Sequence, residues 1–142
     1  MGGNEDMRKK LVRTAYTAFN NGDLEQVLSS LHPEVEIVGA DEVGRLNENE
    51  VWRGHEEALR FYEGLRNEIG LRWIEIVKLE VNGDVVVATV LLHGEHKASG
   101  WSGAVPAVRR HTFDGDLIRR VETYRKGWDL PSFEEKDDPS SS

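Results

Sequence analysis

One acid interrupts an apolar strand face. From Leu71 to Val81 the residue types alternate with period two, and the odd positions are Leu71, Trp73, Glu75, Val77, Leu79 and Val81. A carboxyl set among apolar neighbours is expected to hold its proton to higher pH, which suits a general acid or base. The other reading of the same position pairs Glu75 with an arginine on a neighbouring strand and makes it structural. Two later segments supply partners. Arg109 and His111 share a strand face with Phe113, and beyond the Asp114-Gly115 turn Arg120, Glu122 and Tyr124 share another. If both sets point inward, one pocket holds Glu75, Arg109, His111, Glu122 and Tyr124, and a histidine beside a carboxylate can shuttle a proton at neutral pH. A slip of one residue exchanges the faces and turns these charges toward solvent or a subunit interface.

Aromatic residues supply walls for such a pocket. Tyr16, Tyr62 and Trp73 sit at core spacing, and Trp52 directly follows a long polar stretch from which it could cover a ligand. His93, Glu95 and His96 invite a metal reading, but on an extended strand the two histidines face opposite ways, so no metal is expected. The chain has no phosphate-binding glycine loop, dinucleotide fingerprint or serine-elbow motif, and no cofactor is expected.

The elements that must position these groups follow from periodicity and stop signals. A helix is predicted from about Asp6 to Asn20, with Leu11, Val12, Ala15, Ala18 and Phe19 on one stripe and Asn21-Gly22 as its stop. Asp23 and Gln26 have capping-box spacing for a second helix, which His32-Pro33 ends. A short strand, Val35 to Val38, precedes a long loop from Gly39 to Glu50. A third helix runs from about His55 to Ile69. After Gly70 come strands at Leu71 to Val81, Asp84 to Lys97, Ala104 to Phe113 and Leu117 to Arg125, with a type I′ turn expected at Asn82-Gly83. Helices followed by an antiparallel meander make an α+β fold.

The chain has 142 residues, enough for one domain with its own core. Its net charge of −8 disfavours a nucleic-acid partner. The absence of cysteine removes disulfides, thiolate metal sites and cysteine nucleophiles. The longest apolar run, Val85 to Leu92, is eight residues, where a bilayer span needs about 20, so a cytoplasmic protein without membrane contact is expected. Residues 1–6 are read as a flexible N-terminus, 7–128 as the domain, and the proline-, serine- and acid-rich 129–142 as a disordered tail.

Three stretches, AYTAFNNGDLEQVLSSLHPEVEI, VWRGHEEALRFYEGL and HTFDGDLIRRVETY, resemble the SnoaL-like branch of the nuclear-transport-factor-two-like superfamily. That resemblance covers about Met7 to Trp128. It implies three helices packed in the concavity of a curved, mainly antiparallel sheet (a cone-shaped half-barrel), with a pocket at its open end and homodimers formed through the convex face. The same fold hosts ketosteroid isomerases, scytalone dehydratase and limonene-epoxide hydrolase. A carboxylate–arginine–carboxylate cluster would resemble the water-activating logic of the last. A steroid isomerase is not implied: the position of its base falls on Gly39, that of its protonated acid on Arg109, and that of its tyrosine on Ala15 beside Tyr16. Tyr16 is expected at the helix–sheet junction.

The resulting expectation is a protein that binds a small hydrophobic molecule, with isomerase, cyclase, dehydratase or epoxide-hydrolase chemistry as its enzymatic form. Glu75, Arg109, His111 and Glu122 are its catalytic candidates, and Tyr16, Trp52, Tyr62, Trp73 and Tyr124 its ligand contacts. The alternative is a non-catalytic binding or dimerisation module.

Overall fold

The computed structural model describes residues 2–40, 46–67, 70–96 and 101–125. Helix α1 (Gly2–Asn20) starts four residues before the expected onset and buries Val12, Ala15, Tyr16 and Phe19. Helix α2 (Leu24–Ser29) is capped by Asp23, whose Oδ1 accepts the Gln26 N–H at 3.1 Å. It ends earlier than His32-Pro33 would dictate, because Leu31 already opens strand β1 (Leu31–Ala40).

The polar stretch expected to be a long loop is shorter. Strand β2 (Leu46–Arg53) takes up its second half and pairs antiparallel with β1, Trp52 opposite Ile37 and Val51 opposite Val38. An edge strand tolerates the alternating Asn and Glu of residues 47–50, whose polarity hides the strand from a hydrophobicity reading. Helix α3 (Gly54–Asn67) and strands β3 (Leu71–Asn82), β4 (Val85–His96), β5 (Trp101–Asp114) and β6 (Leu117–Arg125) complete the domain.

The six strands form one sheet in the order β2-β1-β6-β5-β4-β3. The β1–β6 pair is parallel and the other four are antiparallel. The three helices lie against one face, here called the inner face, and the main core forms between them from Phe19, Val35, Ile37, Val86, Val90 and Ile118 among others. This is the expected α+β arrangement. No helix among the described residues is long and apolar enough to cross a membrane.

The β3–β4 and β5–β6 hairpin loops are Gly-Asp pairs. Gly83 has φ +65° and Gly115 φ +66°, whereas among the described residues none other than glycine has positive φ. Left-handed backbone at the first loop residue alone fits a type II′ loop in place of the expected type I′. Arg8 of α1 reaches both tips, donating to Gly83 O at 3.0 Å and Gly115 O at 3.2 Å, with its guanidinium 5.4 Å from the Phe113 ring centre. At the other end of α1, Asn20 bonds the free edge of β3: its Nδ2 donates to Ile74 O at 2.9 Å and its Oδ1 accepts the Ile74 N–H at 2.7 Å. The helix is thereby fixed across the mouth of the inner face. The expected tail over 129–142 lies outside the described residues.

Candidate functional site

Three irregularities in the strands decide which side chains meet. The β3–β4 register shifts between Leu71 and Trp73 and again between Ile76 and Lys78. Period two is therefore broken twice, and the residues of β3 in the main core are Leu71, Ile74, Ile76, Leu79 and Val81. Trp73, Glu75 and Val77, between the two shifts, turn to the outer face. A third shift, between Thr112 and Phe113, leaves Arg119 as the extra residue of β6. Without it Arg109 would oppose Glu122. With it Arg109 opposes Thr123, His111 opposes Val121, and Glu122 moves to face Arg110.

The inner face consequently keeps Arg109 and His111 and loses Glu75, Glu122 and Tyr124. A small cavity lies between α1, α2, α3 and the sheet, lined by Tyr16, Tyr62, Arg109 and His111 together with apolar residues such as Phe19 and Ile118. Its free space is about 10 Å³, close to what one water molecule needs. The His111 ring is buried and held at both nitrogens: Nδ1 is 3.0 Å from Val86 O and Nε2 is 2.9 Å from the Tyr16 hydroxyl. A carbonyl can only accept, so Nδ1 carries the hydrogen and Nε2 accepts from Tyr16 O–H. Burial, with a smaller contribution from the nearby Arg109 charge and against the opposing Val86 hydrogen bond, pushes the His111 pKa down to about 4. Burial likewise raises the pKa of Tyr16 and of Tyr62, against the opposing pull of Arg109. At neutral pH the interior therefore holds a neutral imidazole, two neutral phenols and the Arg109 guanidinium, which stands over the Tyr16 ring 6.0 Å from its centre.

Glu75 sits on the outer face, where its Oε1 lies 2.9 Å from His93 Nε2. The His93 ring stacks on Trp73 at 4.2 Å between centres and 8° between planes. Trp73 is 44% exposed. The single-pocket constellation is thus corrected: Glu75 meets a histidine, but His93 and not His111, and does so opposite the helices.

Glu122 belongs to a ladder of charges on the same outer face. Arg53 Nε lies 3.5 Å from Glu36 Oε2, Arg120 Nη1 2.8 Å from Glu36 Oε1, Arg120 Nε 3.2 Å from Glu122 Oε2, and Arg110 Nη1 3.8 Å from Glu122 Oε1. A carboxylate–arginine–carboxylate arrangement exists here around Arg120, not Arg109. Tyr124 packs outward with Val87 and Val108. Of the expected ligand contacts, Tyr16 and Tyr62 line the cavity. Trp52 packs on the main core with its ring 5.7 Å from Phe61. Trp73 and Tyr124 face away. Thr123 joins the inner face, where alternation alone had not placed it, since only the Arg119 bulge brings it opposite Arg109.

A model of the SnoaL-like domain matches residues 12–121. No curated protein matches the sequence. Among solved structures, the chain is similar to a putative SnoaL-like polyketide cyclase from Jannaschia (17% identity, TM-score 0.71, covering 85% of this chain and 86% of that one). It is also similar to a protein from a soil-derived mobile gene cassette, Bal32a (15% identity, TM-score 0.74, 87% and 92% covered). A third is an NTF2-like protein of unknown function from Burkholderia pseudomallei (20% identity, TM-score 0.65, 84% and 91% covered). Likeness at these identities concerns the fold.

Proposed function

The chain belongs to the SnoaL-like family, and we propose that it binds a small, largely apolar molecule between its helices and inner sheet face and moves a proton on it without a cofactor. The observation that carries this reading is the buried chain of Arg109, Tyr16 and His111 on the wall of the interior cavity, with the guanidinium over the Tyr16 ring and the Tyr16 hydroxyl bonded to His111. In an apolar interior such a chain is at once a donor, a relay and a base. Arg109 polarises a ligand carbonyl. The Tyr16 oxygen takes the acidic α-proton while its own hydroxyl proton passes to His111 Nε2, leaving an enolate against the guanidinium and a transient imidazolium. Reversal at a second carbon gives isomerisation, and attack by the enolate carbon gives cyclisation. A base of pKa about 4 is weak, yet general bases of comparable strength serve such reactions when the enolate is stabilised.

The test needs no knowledge of the natural substrate. A panel of 1,3-diketones and β-keto esters is incubated with the protein in D2O, and loss of the α-proton signal is followed by NMR. Wild type is expected to accelerate exchange for at least one member, and His111→Gln and Tyr16→Phe to remove most of that acceleration. Exchange that persists unchanged in both variants would refute the relay.

A second reading concerns the opposite face. Trp73 and Val77 are exposed large apolar residues on β3, 44% and 58% accessible, beside a largely satisfied charge ladder. Such a surface favours self-association through the outer face of the sheet. It is compatible with an interior ligand site, and alone it would describe a dimerisation module.

A further inference from the structure

The class of ligand can be narrowed, and this step rests on the interior being a small-molecule site. Arg109 is 3% exposed. Among the described residues it stands over the Tyr16 ring, and it takes part in no ion pair. Its Nε–H has no acceptor. Directly across the β5–β6 ladder stands Thr123, 8% exposed, whose Oγ1 also has no partner. Buried polar groups in native proteins are nearly always satisfied, and a buried cation without a countercharge is costlier still. Two unsatisfied groups at one opposed pair, on the face where the ligand cavity lies, share a single chemical remedy. Side chains directly opposed on an antiparallel pair have Cβ atoms about 5 Å apart, so an anion with two oxygens can accept from both.

We infer that the ligand of this site is a small organic acid whose carboxylate is the missing counter-ion of Arg109, one oxygen accepting from the guanidinium Nε–H and the other from the Thr123 hydroxyl. A water molecule could satisfy either donor, and the cavity has room for about one, but water brings no charge. The charged end of the acid enters the space beside Arg109, and its body displaces the apolar lining next to Phe19 and Tyr62. Surface arginines cannot stand in for this site. Arg110 and Arg120, one and three strand positions from the Arg109–Thr123 pair, already bond Glu122 on the outer face.

Amide-detected NMR titration of the full chain tests the inference, at constant ionic strength. The probes are acetate, butyrate and benzoate, each against its own amide: acetamide, butyramide and benzamide. The expected result is saturable shifts at residues 107–111 and 121–124 with at least one acid and not with its amide. Arg109→Met should weaken that binding about tenfold or more, and Thr123→Val by a smaller factor. Thr123→Val removes only a hydroxyl, so it carries the test if Arg109→Met does not fold. Amides that bind as tightly as the acids would overturn the charge requirement while leaving the small-molecule site standing. Acids that shift only exposed residues, or that bind Arg109→Met and Thr123→Val as tightly as wild type, would overturn the assignment to this pair. Silence from acids and amides alike would remove the interior site together with this inference.

Discussion

Acid should loosen this protein through one residue. His111 is 2% exposed and its pKa falls from 6.5 to about 4 on folding, chiefly because burial strips water from the charged form. The unfolded chain thus binds a proton between pH 6.5 and about 4 that the folded chain refuses. Stability therefore rises with pH across that window, is complete above 6.5, and is lost as pH falls toward 4. At 1.36 kcal/mol for each tenfold change in proton affinity, the fall from 6.5 to about 4 corresponds to about 3 kcal/mol. That is a large part of the 5–15 kcal/mol typical of a domain this size. The measurement is urea denaturation at pH 7, 6, 5 and 4.5, followed by tryptophan fluorescence, for wild type and His111→Gln. Carboxylates titrate in both proteins, so the informative quantity is the difference. Wild type should lose about 2–3 kcal/mol more than His111→Gln between pH 7 and 4.5. Parallel curves, or an imidazole signal of His111 titrating near 6.5, would refute the reasoning.

Two further outcomes follow from contacts at the edges of the site. Asn20→Ala removes both bonds from α1 to the free edge of β3 at Ile74 and strands a buried amide and carbonyl; a loss of about 1–3 kcal/mol is expected, read as a lower urea midpoint at unchanged slope. Trp73→Asp should abolish self-association through the outer face while leaving the secondary structure unchanged by circular dichroism. Sedimentation velocity at micromolar concentration reads this, and a monomeric wild type would sink the proposed association.

Much of the architecture was legible because its signals are local. Asn21-Gly22, the Asp23–Gln26 cap spacing, the stop at Gly70 and the turn signals Asn82-Gly83 and Asp114-Gly115 each mark a boundary within a few residues. Pairing across strands is not local. The shifts at Ile76/Lys78 and Thr112/Phe113 involve residues that carry no mark of a bulge, since none of them is a glycine, and at Leu71/Trp73 the glycine, Gly94, is on the opposite strand. One inserted residue exchanges two faces, so the Arg119 bulge alone sent Glu122 and Tyr124 outward. Of the two readings left open, the inward one holds for Arg109 and His111 and not for Glu75, Glu122 or Tyr124. Tyr16 reaches the histidine from a helix 95 residues earlier in the chain, a contact that strand parity has no means of showing.

The two faces of the sheet treat charge in opposite ways, and the contrast supports the proposed interior site. On the outer face every arginine of the ladder has a carboxylate beside it, so its charge is met within the protein. On the inner face, where water cannot help, an arginine stands without a carboxylate and two of the buried polar atoms there are unsatisfied. Packing alone would favour a methionine or leucine at position 109, since replacing buried ionic groups by apolar ones of similar volume is often neutral or stabilising by about 1–4 kcal/mol. A cation in that position works against the fold that holds it. Its stabilisation must come from something the fold does not contain, and a ligand that supplies negative charge from inside the cone meets that requirement.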